Sequence, residues 1–141
     1  MNPIVHRTLV VQLRAEGTGR CPVLAHLSYD ASDPFAVTAV FTLDGRVLAR
    51  WRLDREMLND GLREPVGVGD VRLRPVRQGR WREVRMDFLG DLLPGGSRHH
   101  AVVFAWAPAL ASFLSDTYLA VPPGREEVPV DDVLAEILAT G

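Results

Sequence analysis

A chain of 141 residues, 47% hydrophobic and 24% charged, with 18 acids against 16 bases, has the size of one domain and can bury roughly 70% of its unfolded surface. Its formal charge of −2 excludes a general attraction to nucleic acid or anionic lipid, although all sixteen bases are arginine. One cysteine excludes an internal disulfide framework and a CxxC metal knuckle and points to a reducing compartment. The opening Met1-Asn2-Pro3-Ile4-Val5-His6-Arg7 lacks the basic-then-apolar layout of a signal peptide. No apolar run approaches the ~20 residues needed to span a bilayer. A cytoplasmic single domain over 1–141 is expected.

The first half alternates with period two, the pattern of half-buried strands. Val5, Leu9, Val11 and Leu13 point one way, with Arg7 the misfit in that row, and Val23, Ala25, Leu27 and Tyr29 repeat the pattern after the turn residues Glu16-Gly17-Thr18-Gly19. Asp30-Ala31-Ser32-Asp33-Pro34 breaks the ladder, with aspartates suited to capping local backbone donors. A third strand places Phe35, Val37, Ala39, Phe41 and Leu43 on one face; a fourth does so with Val47, Ala49, Trp51 and Leu53. A two-residue Asp44-Gly45 turn would set Arg52 against the core row. A three-residue loop, Asp44-Gly45-Arg46, instead predicts the pairs Leu43–Val47, Phe41–Ala49, Ala39–Trp51 and Val37–Leu53.

A short helix follows, with Asp54 as N-cap and Gly61 as a left-handed terminator. Pro65-Val66-Gly67-Val68-Gly69 reads as a loop, and strands are predicted from about Asp70, from Trp81 to Leu89, and from His100 to Ala105. From Pro108 the period becomes helical, with Leu110, Phe113, Leu114, Thr117 and Tyr118 on one stripe until Val121-Pro122-Pro123-Gly124. A last helix is predicted from Asp131, presenting Val133, Leu134, Ile137 and Leu138. The predicted architecture is α+β: an antiparallel sheet or open barrel of about seven strands, a short mid-chain helix and two C-terminal helices.

Candidate chemistry is thin. His6 and His26 fall on the outer faces of neighbouring strands, but two imidazoles make a poor zinc site. His99 and His100 are adjacent and face opposite ways. Cys21, between Arg20 and Pro22, has no nucleophile signature around it. GxSxG, HExxH and GxxxxGK[ST] are absent. The pairs Asp30 with Asp33 and Asp131 with Asp132 stand at a turn and a helix start, where capping is their ordinary work. No catalytic, cofactor-binding or metal residue is assigned, and the chain is not expected to be an enzyme.

The densest charge is Arg72, Arg74, Arg77, Arg80, Arg82 and Arg85, with Trp81 among them. Basic strands with an aromatic can track single-stranded nucleic acid, so the Arg72–Arg85 hairpin carries an alternative function. With Gln78-Gly79 as the turn, Leu73 would face Val84, Val71 would face Met86, and Arg74 would oppose Glu83 as an ion pair. That outer face neutralises itself and leaves Arg77, Arg80 and Arg82 in surplus.

Several segments together resemble the SsgA-like proteins, which control sporulation and cell division in filamentous actinobacteria. They are Tyr29-Asp30-x-x-Asp33-Pro34-Phe35-Ala36-Val37, Trp51-x-x-x-Arg55-x-x-Leu58-x-x-Gly61-Leu62, Pro65-x-Gly67-x-Gly69-Asp70-Val71-Arg72-x-x-Pro75, Ala107-Pro108, Ser112-Phe113-Leu114, Val121-Pro122-Pro123-Gly124-x-Glu126 and Leu134-x-x-Ile137-Leu138. The departures are Phe35 where the family usually has tyrosine, Arg74 where an aromatic is common, and Gly90 to His100, which does not align. The resemblance implies a barrel-like domain similar to the Whirly fold and a homotrimer. It also implies action through protein partners, either the tubulin-like FtsZ machinery or peptidoglycan-remodelling enzymes, at the septum and without cofactor.

Overall fold

The computed structural model describes residues 3–14, 19–92, 94–96 and 98–127. Strands β1 (Ile4–Arg14), β2 (Arg20–Asp30), β3 (Ala36–Leu43) and β4 (Arg46–Asp54) form a meander followed by helix α1 (Arg55–Asp60). A second meander, β5 (Val66–Val68), β6 (Val71–Gln78), β7 (Trp81–Leu92) and β8 (Arg98–Trp106), is followed by helix α2 (Ala107–Ala120). The two join through β1 and β8 in one antiparallel sheet of order β4-β3-β2-β1-β8-β7-β6-β5. The described residues form an open, curled half-barrel with two helices. Eight strands stand where about seven are predicted: Val66–Val68, read as loop, pairs with Val71–Leu73. Three residues are too few to display a period. The helix predicted from Asp131 lies outside the described residues.

Alternation sets the two faces. Leu9, Val11, Val23, Ala25, Leu27, Val37, Ala39, Phe41 and Leu53 are buried. Leu110, Phe113 and Leu114 of α2 belong to the same core. Arg7, the misfit of the inward row, is explained by this packing: its guanidinium donates to Ser112 and Asp116 on α2.

The β3–β4 turn and the end of α1 differ from expectation. Asp44 (φ 51°) and Gly45 (φ 77°) make a two-residue turn between Leu43 and Arg46, with the positive φ at both positions that a type I′ hairpin demands. A bulge beyond Phe41 and Thr42 then inserts Leu48 and restores Phe41–Ala49, Ala39–Trp51 and Val37–Leu53. Those three pairs are as predicted; Leu43–Val47 is not. Turn preference fixes the tip and burial fixes the interior, and the bulge reconciles them. Gly61 is not left-handed (φ −64°). A Cβ there would lie 2.8 Å from Leu73 Cβ, so glycine lets the end of α1 approach β6.

Candidate functional site

The first arginine of α1 organises one end of the molecule. Arg55 stands at the helix N-terminus, where the local dipole disfavours a cation, and its partners come from elsewhere in the chain. The residue is 1% exposed, and its guanidinium donates to the carbonyl oxygens of Thr117 (3.1 Å) and Val121 (2.9 Å) and to Glu126 Oε1 (2.7 Å). It also lies 4.8 Å from the Tyr29 ring centre and 4.2 Å from that of Tyr118. Both carbonyls lie at the C-terminal end of α2, whose last turn contains no basic residue, and that of Thr117 also accepts the Val121 amide at 2.9 Å. Arg55 therefore supplies from α1 both the hydrogen bonds and the positive charge that the C-terminus of α2 needs.

The surrounding groups are equally committed. The Tyr29 hydroxyl donates to the Pro34 carbonyl at 3.0 Å, and burial pushes its pKa upward, opposed in part by Arg55. Backbone donation at Glu126 itself, followed by the hydrogen bond from Arg55, holds the Glu126 carboxyl below the usual carboxylate range. Asp54 caps α1 by accepting from the Met57 amide at 2.8 Å, as predicted. Asp30 accepts from the amide and hydroxyl of Ser32, whereas Asp33 pairs with Arg52. Beside this hub, Phe35, Glu56, Asp60, Tyr118 and Pro123 border a shallow cavity of about 360 Å³.

The opposite end of the half-barrel opens as an apolar cleft of about 520 Å³, lined by Leu13, Val23, Phe41, Trp51, Phe88 and Val103 among others. Phe88 of β7 meets Phe41 edge-on at 5.6 Å and Trp51 at 4.9 Å, so aromatic rings bridge the two meanders. His99 and His100 both reach this rim. His100 contacts Asp87 at 3.0 Å. Burial alone would raise the Asp87 pKa, but hydrogen bonds from Arg85 and His100 outweigh it and hold the carboxyl low.

The other sequence candidates scatter. His6 stands opposite Ser28, and His26 opposite Thr8. Both His26 ring nitrogens meet threonine hydroxyls, Thr8 at 3.1 Å and Thr42 at 2.9 Å. Cys21 is exposed. Among the described residues no group of three or more His, Cys, Asp or Glu side chains is placed to hold a metal ion.

The Arg72–Arg85 hairpin is paired two residues away from the predicted register. Gly79 and Arg80 make the turn, Leu73 faces Met86, and Val71 faces Phe88. The shift is even, so the buried face survives and the predicted Arg74–Glu83 ion pair does not. Arg74 faces Arg85, and Glu83 faces Val76. Glu83, 6% exposed, instead accepts from Arg20 at 2.9 and 3.0 Å. Arg20 also covers the Phe104 ring at 3.7 Å, and Arg85 pairs with Asp87. The outer face is therefore partly dry rather than solvated.

Tyr29, Pro34, Arg55, Val121 and Glu126 come from three separate segments and meet at one guanidinium. A family model described as "Streptomyces sporulation and cell division protein, SsgA" matches residues 23–126, which span that set. The chain belongs to the SsgA family. It is 41% identical over 133 residues to the sporulation-specific cell division protein SsgB of Saccharopolyspora erythraea, covering 93% of this chain and 89% of that one. It is 38% identical over 141 residues to SsgB of Streptomyces coelicolor, covering 99% and 98%. The crystal structure of an SsgA-like sporulation-specific cell division protein from Thermobifida fusca superposes with a TM-score of 0.80 at 31% identity, over 99% of this chain and 97% of that one. A role in sporulation cell division follows from these relatives.

In the sequence Arg55 stands in one of the family-like segments with no role assigned to it. The signal was available: an arginine at the first position of a short helix needs an acceptor that its own helix does not offer.

Proposed function

We propose that this chain is a non-enzymatic adaptor of sporulation-specific cell division, a single domain that recruits or activates septal machinery through protein contacts. The observation that carries the reading is the convergence on Arg55. The family's own residues are consumed in joining α1, α2 and the β2–β3 turn, and the carboxylate among them, Glu126, is held ionised by Arg55 and backbone amides. A general acid or base needs a proton to exchange near neutral pH; Glu126 is tuned the other way. The partners fitting this role are the FtsZ-type division machinery or peptidoglycan-remodelling enzymes, with the protein cytoplasmic and drawn to the septum. Among the described residues no helix is long and apolar enough to cross a membrane, which suits recruitment.

Self-association, as a homotrimer, is part of the proposal. The half-barrel ends in two edge strands, β4 and β5, and unpaired edges invite pairing with another chain. Exposed Val10, Leu24 and Val47 add apolar surface. Light scattering on the purified chain is expected to give three times the chain mass. A tagged copy in the native host is expected to form ladders at sporulation septa and to retain division or cell-wall proteins in a pull-down. A diffuse signal throughout sporulation, with no such protein retained, overturns the adaptor reading.

A further inference from the structure

The turn of the β6–β7 hairpin gathers cations that no carboxylate among the described residues neutralises. Arg77 stands directly opposite Arg82 across the ladder, with Arg80 in the turn between them, and like charges so opposed repel. None of the three has a carboxylate partner among the described residues. The nearest acid in sequence, Glu83, is held by Arg20. A chain of net charge −2 thus concentrates three uncompensated guanidiniums within residues 77–82.

The same end carries two exposed indoles. Trp81 follows the turn, is 53% exposed and stacks on Trp106, which is 48% exposed, with ring centres 6.0 Å apart and planes 21° from parallel. Trp106 is the N-cap residue of α2, whose first turn has no acid, so the helix end adds partial positive charge on this side.

We propose that this hairpin end is an attachment point for an anionic lipid bilayer, with the guanidiniums on lipid phosphates and the Trp81–Trp106 pair at head-group depth. Tryptophan favours that depth because its ring is apolar and its N–H polar. Each arginine held near an anionic surface strengthens binding several-fold. Shape favours a bilayer over a peptide. The feature is a hairpin turn that borders neither of the two cavities described above, and the open edge of β6 beyond Leu73, where β5 stops, carries Pro75, which lacks an N–H, and Arg77, both of which discourage an added strand. A single-stranded nucleic acid needs ring faces on which to stack, and the stack leaves one face of each indole at most, so an oligonucleotide is the rival ligand in the test below.

The test is sedimentation of the full chain with phosphatidylcholine vesicles, with and without one-third phosphatidylglycerol, at physiological salt. Binding is expected to the anionic vesicles alone. The triple variant R77S/R80S/R82S is expected to lower the partition coefficient roughly a hundredfold. Lipids brominated in the upper chain are expected to quench tryptophan emission in the parent protein and much less in W81S. These side chains are exposed, and an unchanged near-ultraviolet circular dichroism spectrum establishes that each variant is folded. Equal binding to neutral and anionic vesicles, no binding to either, or full binding by the folded triple variant overturns the proposal. So does arginine-dependent binding of an oligonucleotide by a protein that ignores vesicles. None of these results bears on the adaptor role, which pull-down and septal localisation test separately.

Discussion

Arg55 and the Arg77–Arg82 turn are the same chemistry in opposite circumstances. Arg55 is buried, with two carbonyls, a carboxylate and two aromatic rings around it. The turn arginines are exposed, face one another, and have no counter-ion among the described residues. The first arrangement joins α1 to the end of α2 and is closed off from solvent. The second sets like charges against each other and stands open to solvent. The difference teaches that an arginine that holds the fold together need not be one that is available to a ligand.

The comparison breaks most readily at Arg55. Replacing it with methionine takes the side-chain donor from Glu126 and from the Val121 carbonyl, and removing one member of a buried pair costs about 3–5 kcal/mol. Urea unfolding is expected to report a loss of that size, with Arg55→Lys intermediate because ammonium lacks the planar fork. Gly61→Ala is next. The added carbon meets Leu73 Cβ at 2.8 Å, which is not the yielding end of a side chain, and overpacking of this kind costs about 1–3 kcal/mol. Tyr29→Phe deletes the hydroxyl that satisfies the Pro34 carbonyl, and about 1 kcal/mol is expected.

Acid sharpens the contrast further. Glu126 and Asp87 both titrate below their ordinary values in the folded chain. Their contribution is complete above the ordinary carboxylate range, about pH 4, and is lost as pH falls through the lower folded values. Unfolding followed from pH 7 downward is expected to show stability declining in that acidic window, with a shallower decline in Glu126→Gln. The smallest effect belongs to the turn. Arg82→Ser relieves the opposition to Arg77, and stability is expected to hold or rise by about 0.2–1 kcal/mol. A loss would mean that the turn arginines support the fold after all.

Much of the fold was legible because burial is periodic. Leu9, Val11, Ala25 and Leu27 announce their strands, and Leu110, Phe113 and Leu114 announce the helix. Registers near turns were less legible. The tip of β3–β4 obeys the preference of Asp44-Gly45 for a two-residue turn, while its interior obeys burial. A bulge satisfying both leaves no mark in the alternation. The β6–β7 hairpin slipped by two residues, a change to which face assignment is blind, and with it went the Arg74–Glu83 pair. The hub was least legible, since Arg55 and Glu126 lie 71 positions apart and no local pattern links them. The family resemblance brought both onto one line of motifs without saying that they touch.

The central claim is that the Arg55 hub acts only by holding the fold. Its most direct test is septation in a host that lacks its own copy, measured for Arg55→Lys, Arg55→Met and Tyr29→Phe against the folded fraction of each protein at the growth temperature. The account predicts that septation tracks the folded fraction along one line for all three. A variant that is fully folded yet fails to restore septation would contradict it.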